Sequence, residues 1–263
     1  MFKNLLRIKE LNNWTYTYDD PETTNILHRK IIMGKPFLYQ LYKDWYQIFN
    51  SYVNTLPRGT LLEIGSGAGF IKEIIPDILV SDVLTLSNLN FILSAEKLPF
   101  KSESLSGIFL IDVFHHIPKP AEFLREAQRC LKENGKVIMI EPDNTAWSRF
   151  IYVNFHREPF NILGGWEISY GGPLSGSNMA LPWIFFERDK NRFLEEFPLL
   201  KIEQIFHHTP LQYLLSGGFS IKCLVPSWSY KFFRVLDKYL NLISNQLSMF
   251  QTIILVKSSE NKR

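Results

Sequence analysis

Two histidines in tandem, His115 and His116, follow Asp112 and Val113 at the end of an apolar run that begins at Gly107. Imidazole titrates near working pH, so either ring could act as a base toward an acceptor held at that edge. Turn formation and packing are the competing uses of such a pair. Glu141, closing a second apolar run, is an alternative base. Upstream, Leu61-Leu62-Glu63-Ile64 leads into Gly65-Ser66-Gly67-Ala68-Gly69. Glycines at this spacing let the backbone turn sharply and approach a ligand, and a helix start beyond them aims its first N–H groups at the same place. Asp82 closes a further short apolar run. A carboxylate there can accept from both hydroxyls of a ribose, although capping a turn is the plainer use of a strand-end aspartate.

The surrounding pattern supplies the elements that hold these groups. Apolar residues recur at three- and four-residue spacing from Ile26 to Val53, broken near Gly34-Lys35-Pro36, which predicts two helices. Strands are expected at 60–65, 78–82, 90–94, 107–112 and 136–141. A short helix is expected over 70–75, and an amphipathic one over 120–133 closed by Asn134-Gly135. Alternating strands and helices specify an α/β, doubly wound, Rossmann-like parallel sheet with its ligand at the carboxyl ends of the strands. Residues 1–20 lack a clear period and are expected to form an arm.

Four segments in order carry a resemblance to class I S-adenosylmethionine-dependent methyltransferases, in particular the small-molecule group of type 11: E-I-G-S-G-A-G (63–69), A-E-K-L-P-F (95–100), D-V-F-H-H-I (112–117) and F-L-R-E-A-Q-R-C-L-K-E-N-G-K-V-I-M-I-E-P (123–142). The resemblance implies S-adenosyl-L-methionine as cofactor. Glu63, Gly65, Ser66 and Gly67 would hold its methionine and ribose end, and Asp82 the ribose hydroxyls. Ser94, Ala95 and Glu96 would lie on the adenine side, with Asp112 and Val113 near the reactive methyl group. Many relatives have an aspartate where this chain has Ser94, whose hydroxyl accepts more weakly. The resemblance also implies a seven-stranded sheet, completed by strands at 200–206 and 249–257. The expected organisation is N-terminal arm and helices (1–55), cofactor core (56–145), and an acceptor cap, insertion helix and last two strands (146–263).

All six tryptophans lie outside 46–146, and large rings crowd the stretch from Trp147 to Phe186. That suggests a cap over the strand ends enclosing an apolar acceptor, or else core between added helices. Arg157, Arg188 and Arg192 could clamp an anionic group or sit in solvent. A helix from Ser227 to about Gln246 carries a wide apolar stripe, which usually means core packing; docking on a membrane surface or a second subunit is the sharper alternative. The expected function is methylation of a small-molecule or lipid-like acceptor, most simply at oxygen; the alternative is a catalytically silent, partner-binding subunit.

Composition excludes other classes. With 29 Lys/Arg against 26 Asp/Glu, a net charge of +3 and no long basic run, the chain is no nucleic-acid binder by charge. Cys130 and Cys223 are far apart, so neither a disulfide framework nor a metal site is expected, and a reducing cytoplasm suits them. No apolar run reaches the length of a membrane span, and no signal peptide is evident. Nicotinamide-linked oxidoreduction is disfavoured because G-x-G-x-G lacks the dinucleotide spacing.

Overall fold

The computed structural model describes residues 8, 19–21, 23–168 and 171–259. The expected arm over 1–20 therefore lies almost wholly outside the described residues, as does Tyr170 of the aromatic stretch. Seven strands form one sheet: β1 (Thr60–Ile64), β2 (Leu79–Asp82), β3 (Phe91–Ile92), β4 (Leu105–Ile111), β5 (Leu131–Pro142), β6 (Leu200–His208) and β7 (Phe250–Lys257). Their order is β3-β2-β1-β4-β5-β7-β6. β1 to β5 are parallel, whereas β7 runs antiparallel to both of its neighbours.

The helices are α1 (Arg29–Gly34), α2 (Pro36–Val53), α3 (Pro120–Cys130), α4 (Ala146–Phe155), α5 (Leu181–Trp183, running on into a π turn), α6 (Lys190–Glu196), α7 (Gln212–Ser216) and α8 (Tyr230–Ile243). Proline at the first turn starts α2 and α3, where its missing N–H costs nothing. Alternate residues of the central strands serve opposite faces. Phe109, Ile111, Ile138 and Ile140 pack with Phe37, Trp45 and Phe49 of α2. Ile108, Leu110, Val137 and Met139 pack with Phe123 and Leu124 of α3 and with Phe185, Phe186 and Phe193. The sheet is thus covered on both sides, and β4 is buried along its whole length.

Several boundaries differ from the pattern. Residues 70–75 form a single 3₁₀ turn, Ile71–Glu73, and the third strand pairs at Phe91 and Ile92 alone. α3 stops at Cys130, three residues short of the expected end. Leu131 is already extended and pairs with Leu105, and its carbonyl accepts from the buried Lys257 ammonium at 2.8 Å. Asn134, with φ at +60°, turns the chain inside the strand.

α8 departs most. It buries Tyr230 and Asp237, packs Phe233 against the core and leaves Phe232, Val235, Tyr239, Leu242 and Ile243 exposed, so most of its apolar stripe is not core. Because β7 is antiparallel, β6 ends and β7 begins at the same edge, with His208 opposite Phe250. Residues 209–249, α7 and α8 among them, are therefore delivered to the carboxyl edge of the sheet.

Candidate active site

At the tip of β1, Gly65 and Gly67 take φ values of +69° and +48°. A Cβ on Gly65 would stand 2.4 Å from the Val113 side chain, so the turn closes only around glycine. The Asp82 carboxylate at the tip of β2 fixes this turn: Oδ2 accepts from Gly67 N at 2.8 Å and Oδ1 from Leu84 N at 2.9 Å. Each oxygen retains a second lone pair. Glu63 is buried beneath the turn, and burial pushes its carboxyl up to about 7. Ser66 lies close by and draws that value down slightly, without a hydrogen bond of regular geometry. Glu63 Oε2 and Ser66 Oγ are both buried with no hydrogen-bond partner. Ser94 Oγ accepts from Glu96 N at 3.2 Å and donates to Glu96 Oε2 at 3.3 Å, while Glu96 Oε1 accepts from Lys119 N.

Beyond β4 the chain makes a tight turn through Asp112, whose φ is +60°. Glu141 Oε1 accepts from the N–H groups of Val113 and Phe114, at 2.9 and 2.7 Å, and Oε2 accepts from His115 Nδ1 at 2.7 Å. The other ring nitrogen of His115 faces Glu158 Oε2 at 3.2 Å. Burial alone would lower the His115 pKa. The charge and hydrogen bond of Glu141, with Glu158 and Asp112, outweigh it and hold His115 protonated well above the ordinary histidine range. Glu158 answers in kind: burial would raise its carboxyl, but the His115 hydrogen bond, with the surrounding imidazoles of His116, His115 and His156, holds it at about 2. His116 goes the other way. Burial, then the neighbouring His115 charge, push it down to about 4, leaving a neutral ring whose Nδ1–H donates to Gly176 O at 3.0 Å. Its Nε2 stands 3.6 Å from Glu158 Oε2. Asp112, beside them, is raised to about 7 by burial despite His115. Ligand atoms of His115, His116 and Glu158 all lie within 4.8 Å, the one group of metal-ligand spacing among the described residues.

A cavity of about 910 Å³ joins these parts. Glu63, Gly65, Ser66, Gly67, Asp82, Ser94, Ala95, Glu96, Asp112 and Val113 all line it, and so does His116. His115 and Glu141 do not; they stand behind the wall. Glu141, the alternative base, is fully buried, and its carboxylate accepts from two backbone amides and from His115.

The far wall comes from Ile151, Tyr152, Phe155, Tyr213, Leu214 and Phe219, with Ile32 and Tyr42 from the N-terminal helices. The crowded rings thus divide. Tyr152, Phe155 and His156 face the cavity, while Trp166, Phe185 and Phe186 are core against Phe114. Of the three arginines, Arg157 lines the cavity. Arg188 is tied to Asp189 and to the carbonyls of Ile162 and Gly164, and Arg192 stacks 3.8 Å above the Trp166 ring and pairs with Glu196. Neither of the last two is a clamp. Glu158 is absent from the sequence expectations, and the 213–221 wall enters them only as part of the 146–263 cap. The pattern His156-Arg157-Glu158 after an apolar helix is the one local signal for Glu158. Nothing local marks the wall, which Lys35 secures by donating to the carbonyls of Ser216, Gly218 and Ile221.

Strand order 3-2-1-4-5-7-6 with one antiparallel strand, and a glycine turn over the carboxyl edge, define the class I S-adenosylmethionine-dependent methyltransferase fold. Residues 62–139, from β1 into β5, match the sequence model described as a methyltransferase domain. Residues 62–139 are by that match a methyltransferase domain, set in a fold of that kind. A chain in the complex between the Haloferax volcanii Trm112 methyltransferase activator and a methyltransferase is 11% identical, with a TM-score of 0.52, covering 94% of this chain and 100% of that one. Geranyl diphosphate C-methyltransferase from Streptomyces coelicolor is 12% identical, with a TM-score of 0.46 and coverages of 94% and 86%. Phosphoethanolamine N-methyltransferase 2 from Haemonchus contortus is 14% identical, with a TM-score of 0.49 and coverages of 93% and 61%. At such identities the likeness is one of fold. No curated protein matches the chain significantly.

The residues present fit the cofactor. Its ribose hydroxyls and methionine ammonium are donors, and the cradle offers buried acceptors that lack them, Glu63 Oε2 and Ser66 Oγ foremost. Its charge at sulfonium and ammonium is positive, and burial leaves Glu63 and Asp112, both near 7, short of a cation. No helix among the described residues is long and apolar enough to cross a membrane.

Proposed function

We propose that this enzyme methylates an oxygen of a small or lipid-like acceptor held in the apolar part of the cavity. One observation carries the reading: His116, a neutral imidazole beside a carboxylate, sits where the polar cradle meets a wall of Ile151, Tyr152, Leu214 and Phe219. S-adenosylmethionine supplies an electrophilic methyl group on a sulfonium centre. Glu63, Gly65, Ser66 and Gly67 hold its methionine and ribose end, Asp82 the ribose hydroxyls, Ser94, Ala95 and Glu96 the adenine, and Asp112 and Val113 the side facing the acceptor. His116 Nε2 would take the proton of the acceptor O–H as the oxygen bonds to the methyl carbon, the C–S bond breaking with its electron pair left on sulfur so that S-adenosylhomocysteine departs. The imidazolium so formed faces Glu158, 3.6 Å away. His115 is a positioning residue: locked between Glu141 and Glu158, it keeps Glu158 ionised for that purpose. Residues 56–145 serve as the cofactor core, 1–55 as an N-terminal arm and helices, and 146–263 as the acceptor cap, insertion helix and last two strands, and the free thiols of Cys130 and Cys223 suit a cytoplasmic setting.

The test is release of S-adenosylhomocysteine from S-adenosylmethionine with phenols, sugar alcohols and prenylated or acylated alcohols as acceptors, alongside calorimetric titration with S-adenosylhomocysteine. Turnover with an apolar hydroxylated acceptor is expected. Tight product binding with turnover only on amines or carbon acids would overturn methylation at oxygen.

A further inference from the structure

Trp228, Phe232, Val235, Tyr239 and Leu242 are spaced four, three, four and three residues apart, so on a helix they form one line. All five are more than half exposed; Trp228 is 84% and Leu242 73% exposed, and the adjoining Ile243 reaches 76%. Where α8 meets the protein, Tyr230 is buried with its ring 5.0 Å from that of Phe37, and Phe233 packs beside the same ring. Asp237 is buried there and its carboxylate accepts from the N–H groups of Leu211 and Gln212, at 3.0 and 3.1 Å, at the start of α7. α8 thus carries two apolar faces: Tyr230 and Phe233 pack on the core beside the Asp237 contact to α7, and a second line is offered outward. Exposed large apolar residues aligned in this way mark a contact surface rather than scatter.

We infer that α8 is an interfacial helix that docks on an anionic lipid surface. Three features single out that occupant. Lys231, Arg234 and Lys238 run along one flank of the line, and the helix has no acidic residue besides the buried Asp237. Arg234 also pairs with Asp44 at 3.1 Å, whereas Lys231 and Lys238 have no ion pair among the described residues. A cationic flank beside an apolar stripe matches an anionic headgroup layer over acyl chains. Trp228 and Tyr239 are the aromatic types favoured at such an interface. A second copy of the chain fits less well, because pairing two such stripes sets like-charged flanks together with no acid to receive them. The cavity wall also adjoins the helix. Asp237 holds the start of α7, whose neighbours Tyr213, Leu214 and Phe219 line the cavity, and half-exposed Phe155 lines it from α4. An apolar acceptor could therefore pass from the lipid layer to the cavity without crossing water.

The full chain is sedimented with phosphatidylcholine vesicles with and without phosphatidylglycerol, while Trp228→Phe identifies the Trp228 share of any fluorescence blue shift. Pelleting with the anionic vesicles and weak pelleting with neutral ones is expected. Phe232→Glu combined with Leu242→Glu should abolish it, and Lys231→Gln and Lys238→Gln should each weaken it about fivefold. These side chains are exposed, so unchanged circular dichroism and S-adenosylhomocysteine affinity check that the variants remain folded. No pelleting with either vesicle overturns the inference, as does equal binding to both. A concentration-dependent dimer that the double glutamate variant disperses, without vesicle binding, assigns the stripe to a second copy instead. None of these readouts depends on methyl transfer, so this inference and the acceptor assignment fail separately.

Discussion

The two walls of the cavity are made by different means. On the cofactor side the strand tips of β1, β2 and β4 present backbone turns stiffened by carboxylates, Asp82 across Gly67 and Glu141 across Val113 and Phe114. On the acceptor side, segments more than a hundred residues apart meet through side chains, and Lys35 clasps three carbonyls of the 216–221 loop. The first construction leaves little freedom of residue type, since each glycine and acid answers a geometric demand. The second asks only for apolar bulk at the right depth, which many sequences supply.

If the walls act separately, substitutions should separate chemistry from cofactor binding. The largest effect is expected from His116→Ala, with kcat lower by about 10² to 10⁴ and S-adenosylhomocysteine affinity unchanged, read by initial rates and calorimetry. A parallel loss of affinity would mean that the histidine belongs to the cofactor side. Gly65→Val should do the reverse, weakening cofactor binding roughly 100-fold through strain and the Val113 clash while the protein stays folded.

Next comes pH. Glu63 and Asp112 have folded pKa values near 7, above their unfolded ones, so their contribution to stability is whole below about pH 4 and is lost as pH rises through 7. The Tm of the cofactor-free enzyme should fall by several degrees between pH 5 and 8, and the increment from saturating S-adenosylmethionine should grow over the same range. A flat increment would detach these carboxylates from cofactor binding. Smallest of all, Ser94→Asp should tighten S-adenosylhomocysteine a few-fold by placing a stronger acceptor beside the adenine. Unchanged or weaker binding would show that residue 94 does not reach the base.

Legibility in the sequence follows the same division. Gly65, Gly67 and Asp82 announce themselves because few types can occupy a left-handed turn or fix it from the next strand. β4 shows as a near-continuous apolar run because both of its faces are covered. The end of α3 was not legible: nothing in Leu131-Lys132-Glu133 reveals that β4 will claim Leu131. Nor does the 3.6-residue period of α8 say which side faces the protein. Asp237 decides that by capping α7, a contact 25 residues distant and invisible to local pattern. His115 and Glu141 could be seen as reactive types, but their mutual hydrogen bond, between residues 26 apart, could not. Glu158 escaped because its meaning lies in what folds against it.

The reversal of β7 has an evolutionary consequence. A parallel last strand would require the chain to cross back beneath the sheet, and its connection would be bound to that path. With β7 antiparallel, the link from His208 to Phe250 starts and finishes at the carboxyl edge of the sheet. Its length can therefore change without disturbing any strand register. It is an open port in the architecture, at which this chain has installed both a chamber wall and an outward-facing helix, and through which substrate range can be rewritten while the cofactor core stays fixed.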